Sequence, residues 1–199
     1  MNKQEQKRLE ARQQILDAAV TVFAQKGLYA ASMTDIMRAS GLSKGGIYWH
    51  FQSKDEIITA ILEDFFTQEM GKLSEQLTAV PSPIAQLRLI IQQTALILEQ
   101  RTELLPITLD FYAAATRDEQ MKQVVSGYFA QYRTLFAAII DQGIAQGELR
   151  PVDSSQTAVA ISAQIEGSIL MWLINPQQFV LHEQLDAALE MLLQGVAVS

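Results

Sequence analysis

Apolar residues in this 199-residue chain recur at intervals of three and four, and nowhere do they alternate with polar ones over the length of a strand. That spacing lays side chains along one face of a helix, whereas a strand needs a period of two. Ile15, Ala18, Ala19, Val22 and Phe23 form such a face over Glu10 to Lys26, and Gly27 is placed to stop the helix in the left-handed conformation. Ser32 followed by Asp35 reads as a capping box opening a second helix through Ser40, which Gly41 breaks. Ser43 can cap a third helix, Lys44 to Phe51, of only eight residues. Ser53 with Glu56 repeats the box ahead of a long fourth helix striped by Ile58, Ile61, Leu62, Phe65 and Phe66.

The rest of the chain has the same character. "VPSP", Val80 to Pro83, ends one helix and starts another that runs to Glu99, and Pro106 interrupts or begins a sixth. Asp118 to Gly147 forms a long seventh helix with Tyr128, Tyr132, Leu135, Phe136 and Ile139 on one stripe. Asp153 or Ser154 caps an eighth through Ile174, and "HEQLDAALEMLLQGV" supplies the last. The expected fold class is all-α: a three-helix helix-turn-helix domain over residues 1–55, then a larger helical domain over 56–199, about nine helices in total. Thr157 to Ile174 is apolar enough to raise a membrane span, but Ser162, Gln164, Glu166 and Ser168 stand near its middle. A charge at a bilayer centre is costly, so a helix buried against protein, and no membrane partner, is expected.

With no cysteine, the chain has no disulfide, thiolate zinc site or thiol redox chemistry. Its polar first residues lack the apolar core of a signal peptide, which points to a soluble cytoplasmic protein. The net charge of −7 hides an asymmetry. Through Lys54 eight cations face four anions, giving +4; the remainder carries seven cations and 18 anions, giving −11. A basic head on an acidic body attracts a polyanion at one end only.

"GLSKGGIYWHFQSKDE", Gly41 to Glu56, is where that charge becomes specific. At about 1.5 Å per residue the third helix is about 12 Å long, and the major groove of B-DNA is about 12 Å wide. Gly45 and Gly46 each cost a helix about 1 kcal/mol relative to alanine, and their missing side chains let a partner approach the backbone. Tyr48 and His50 carry groups suited to phosphate oxygens, Lys44 a cation for base edges or phosphate, and Lys54 another at the start of the fourth helix. Trp49 either packs on that helix or faces DNA. Lys3, Lys7, Arg8 and Arg12 form either a DNA-seeking arm or a solubilising tail.

"TDIMRASGLSKGGIYWHFQSKDEII", Thr34 to Ile58, resembles the DNA-binding signature of the TetR family of bacterial transcriptional regulators. Ile36, Gly41, Ser43, Gly45, Tyr48, His50, Phe51 and Lys54 match its order and spacing without a gap. Met37 and Ser40 stand where alanine is usual, Gly46 where threonine or serine is common, and Ile58 where leucine is frequent. The resemblance implies a regulator, by habit a repressor, that binds a palindromic operator in double-stranded DNA as a homodimer and is released by a small-molecule effector. DNA contacts would then fall to Thr34, Ser43, Lys44, Gly45, Gly46, Tyr48, Trp49, His50 and Lys54. It further implies an effector pocket in helices five to eight. Aromatic and polar candidates for its lining are Phe66, Met70, Phe111, Tyr112, Tyr128, Tyr132, Glu166 and Trp172. Asp110 or Glu166, facing inward, would favour cationic lipophiles. The last two helices would pair with their copies through Ile161, Ile165, Ile169, Leu185, Leu189 and Leu192.

No cofactor, metal or catalytic residue is expected. "GLSKG" matches the G-x-S-x-G nucleophile elbow only formally, because a helix and not a strand precedes it. His50 and His182 are the only histidines and lack metal-ligand spacing. The alternative to a regulator is a helical ligand-binding or interaction protein that has lost specific DNA binding.

Overall fold

Capping side chains fix where the helices of this chain begin and end. The computed structural model describes residues 2–100 and 105–196. Among them are nine helices and no extended strand, as the all-α reading requires: α1 Lys3–Ala30, α2 Met33–Ser40, α3 Lys44–His50, α4 Lys54–Thr78, α5 Pro83–Gln100, α6 Leu105–Ala115, α7 Glu119–Gln146, α8 Ser154–Ile174 and α9 Leu181–Val196. The helix α1 starts two turns earlier than apolar spacing indicates, because Asn2 caps it by accepting from the N–H groups of Gln4 and Glu5 at 3.0 and 2.8 Å. Residues 2–10 are all exposed, so no apolar stripe marked them.

Packing divides the chain into two units, Met1–Thr67 with Glu103–Val124, and Gln68–Thr102 with Val125–Ser199. A division at residue 55 does not coincide with these units, since both α4 and the α6 region supply side chains to the first. Its core joins Ile15, Ala19 and Phe23 of α1, Ile36 of α2, Ile47 of α3 and Ile57 of α4, all fully buried.

At Gly27 the backbone takes φ 77° and ψ 161°, a region open to glycine and not the left-handed stop that was expected. Two charged side chains tie down the residues just after it. The Leu28 N–H donates to Asp110 Oδ2 of α6 at 2.9 Å. The Lys54 ammonium donates to the carbonyls of Leu28, Ala31 and Tyr29 at 2.6, 3.0 and 3.4 Å.

In the second unit α9 packs on α5 and α8. Arg88 of α5 reaches Glu190 of α9 at 2.8 Å. Glu148, just past α7, accepts from the Ser82 hydroxyl at 2.8 Å and the Ile84 N–H at 3.2 Å, and so holds the start of α5. Although α8 is long and apolar enough to cross a membrane by length and composition, Ile161, Ile165, Ile169, Trp172 and Leu173 are buried in this unit.

Candidate nucleic-acid interface

The recognition segment is built by three caps, two of them serines and one a glycine. Ser32 accepts from the Asp35 N–H at 3.2 Å while Asp35 Oδ2 accepts from the Ser32 N–H at 3.1 Å, the reciprocal box that opens α2. The Lys26 ammonium beside Asp35, at 2.6 Å, and then the Ser32 hydroxyl hold that carboxyl far below the ordinary range. Gly41 ends α2 where a break was expected, with a left-handed cap at φ 70°, ψ 5°. Ser40, which replaces the usual alanine, is buried with its hydroxyl donating to Met37 O at 3.2 Å and accepting from the Leu42 N–H at 3.4 Å. The substitution is thus absorbed by the turn itself. The Gln14 side chain donates to Ser40 O at 2.7 Å and ties α1 to the same turn.

Ser43 then caps α3 by accepting from the Gly46 N–H at 3.2 Å. One helix turn separates Lys44 from Tyr48 and Gly45 from Trp49, so these four share a face, and Ile47 on the other side is fully buried. The Lys44 ammonium lies 5.8 Å from the centre of the Tyr48 ring. Trp49 is 67% exposed, which settles that it faces outward and does not pack on α4. Its ring meets His50 edge-on at 4.6 Å. Partial burial, and then the charges of Arg8 and Arg12, push the His50 ring below the usual histidine range. Gly46, Tyr48 and His50 are half-buried, while Thr34, Ser43, Lys44 and Gly45 are exposed.

Lys54 departs from expectation: all three of its N–H groups already have carbonyl acceptors at the end of α1. It is a brace between α4 and α1 in place of a cation held out for phosphate. Replacing Lys54 with alanine should therefore cost about 1–3 kcal/mol in urea unfolding and leave the salt slope of DNA binding unchanged. Wild-type stability with a shallower slope would return it to the phosphate. Arg12 is likewise engaged, in a bidentate pair with Asp64 of α4 whose second contact is 3.2 Å, with its guanidinium 5.7 Å from the Phe51 ring centre.

Residues 15–61 match the profile "Bacterial regulatory proteins, tetR family", and residues 83–196 match "BetI-type transcriptional repressor, C-terminal". The chain belongs to the TetR family. Among its relatives, the HTH-type transcriptional regulator TtgR of Pseudomonas putida is 29% identical over 196 residues, covering 92% of this chain and 91% of its own. The fold is similar to that of FadR from Bacillus subtilis in complex with stearoyl-CoA, with a TM-score of 0.82 at 24% identity over 92% of this chain and 98% of that one. It is also similar to that of a regulator from Saccharomonospora viridis in complex with choline, with a TM-score of 0.85 at 19% identity over 96% and 99%. This TetR-family protein is a DNA-binding transcriptional repressor.

The candidates in the second unit are redistributed. Tyr128, Tyr132 and Glu166 line one space together with Thr94, Phe129, Phe136, Ser162 and Ile165. The Tyr128 and Tyr132 rings lie 4.8 Å apart at 66°, and the space left among these side chains is about 20 Å³, room for little more than one water. Trp172 instead lines an open groove with Glu99, Phe179 and Glu183. Met70 lines neither, Phe111 and Tyr112 belong to the first unit, and the Phe66 side chain lies outside the described residues. Asp110 accepts from the Leu28 N–H within the first unit.

Ile161, Ile165, Ile169, Leu185 and Leu189 are 8% exposed or less and so belong to the core of their own chain, while Leu192 is half-buried. A different stripe is bare. On α8 it runs through Val159, Ala163, Gly167, Met171 and Ile174, and on α9 through Gln184, Ala187, Met191 and Gln194, all exposed. The helix α8 is apolar on two faces, and spacing alone could not tell which it keeps for its own core, whereas the bare face of α9 sets Ala187 and Met191 between two glutamines.

Proposed function

We propose that this repressor sets α3 in the major groove of a palindromic duplex, as a homodimer joined through the bare stripes of α8 and α9. The exposed face of α3 carries this reading. Lys44 supplies a cation, Gly45 leaves the backbone uncovered, Tyr48 and His50 carry a hydroxyl and a ring nitrogen suited to phosphate oxygens, and Trp49 offers a flat apolar surface to a base edge. Thr34, exposed on α2, completes the flank. A helix this short touches too few base pairs to select a site alone, so a second copy is required.

The space walled by Tyr128, Tyr132, Phe129 and Phe136 is our choice for the effector. A ligand there must part the rings, and parting them is what would couple its binding to the DNA-bound state. Glu166 in that wall favours an apolar molecule carrying a positive charge or a hydrogen-bond donor. Similar folds hold ligands as unlike as stearoyl-CoA and choline, so the wall and not the fold selects the effector. No reaction is assigned to the chain, and it acts in the cytoplasm.

Selection from a pool of random-sequence duplexes tests the reading. A two-fold symmetric sequence should be recovered, bound with an affinity that falls steeply as salt rises. No recovered sequence and a flat salt response would place the chain with helical proteins that have lost DNA recognition.

A further inference from the structure

We propose that the first two turns of α1 form a second grip on DNA, with Arg8, Lys7 and Lys3 holding phosphates that flank the groove occupied by α3. The proposal rests on the DNA-binding reading above and names a contact surface outside the helix-turn-helix.

Residues 2–10 are exposed on every side, yet they are helical and capped by Asn2. At about 1.5 Å per residue, Lys3 to Glu10 carries the helix about 12 Å beyond its own core. A helix polar all round, with nothing packed on it, has little to hold it together unless a partner covers it. Its direction is set by Arg12, whose guanidinium lies over Phe51, the residue that caps the end of α3. Arg8 is one turn earlier on the same face of α1, so it emerges beside the end of the recognition helix. Its charge, with that of Arg12, is felt at the His50 ring.

The ion pairs divide the basic residues of this segment. Arg12 is consumed by Asp64, whereas no carboxylate among the described residues pairs with Lys3, Lys7 or Arg8. Lys3 and Lys7, one turn apart, form the adjoining flank. Glu10 lies about 200° around the helix from Arg8 and faces away. Glu5 sits in the first turn, where the positive end of the helix dipole offsets its charge.

The test uses the full chain and the duplex recovered from the random pool. Binding by wild type, Arg8→Ala and the triple variant Lys3→Ala/Lys7→Ala/Arg8→Ala is measured across a salt series at pH 8, where His50 is neutral in all three. One phosphate lost per copy should shallow the log–log salt slope of the dimer by about two for Arg8→Ala, and by more for the triple variant. The preferred sequence and the thermal midpoint should not move. A triple variant that folds normally and keeps the wild-type slope overturns the second grip while leaving the DNA-binding reading intact. Failure of the wild type to select a sequence sinks the DNA-binding reading, and this one with it.

Discussion

Gly45→Ala should make the protein more stable and a poorer DNA binder. A Cβ built at Gly45 would meet nothing within 4 Å, and its backbone is ordinary helix, so no internal contact or dihedral calls for glycine there. Alanine should therefore stabilise α3 by about 1 kcal/mol, read as a higher urea midpoint. The same methyl group would stand where a base edge approaches the backbone, at about the cost of one mismatched base pair, ~1–3 kcal/mol per half-site. With both half-sites affected, affinity for the selected duplex should fall about a hundredfold. Unchanged affinity in the stabilised variant would remove the reason given for glycine at this position. Gly46 cannot serve the same purpose, because its Cβ would press on Ser43 Oγ at 3.3 Å and disturb the cap.

The second large effect belongs to the outer stripes of α8 and α9. Met171, Ile174 and Met191 are 54%, 72% and 71% exposed, an unusual display of large apolar side chains. Met171→Glu with Met191→Glu should yield a folded monomer by sedimentation at micromolar concentration. Its affinity for the two-fold symmetric duplex should drop by a factor of about 100 or more, since the second half-site is no longer engaged at high effective concentration. Leu185→Ala provides the contrast. It opens a cavity at a fully buried position and should cost about 2–5 kcal/mol of stability, with dimer dissociation only as a by-product. A double-glutamate variant that remains dimeric would show that the pairing lies elsewhere.

The head was legible to nearly residue resolution because its signals are local. Ser32 with Asp35, Gly41 and Ser43 each act within four residues, and each acts as their spacing requires. What spacing could not show were the partners brought together by folding. Lys54 looks like an anion-seeking cation until the three carbonyls 23 to 26 residues before it are in place. Nothing local to Asp110 points to its partner, the Leu28 N–H 82 residues away. The stripes of α8 are ambiguous for a related reason. Ile161 and Ile165 satisfy a helical stripe perfectly well, but so do Val159 and Met171 on the other side of α8, and only packing decides which stripe the chain keeps for itself.

The reach of Asp110 to Leu28 has a practical corollary. The DNA-reading unit is discontinuous in the chain: it is finished by residues 103–124, after 35 residues that fold elsewhere. A fragment ending at Thr67 would leave the Leu28 amide without its acceptor and uncover the side of α1 that α6 shields. A cut after Thr67 therefore cannot release an intact reading head, and grafting that head onto another scaffold would require carrying α6 along.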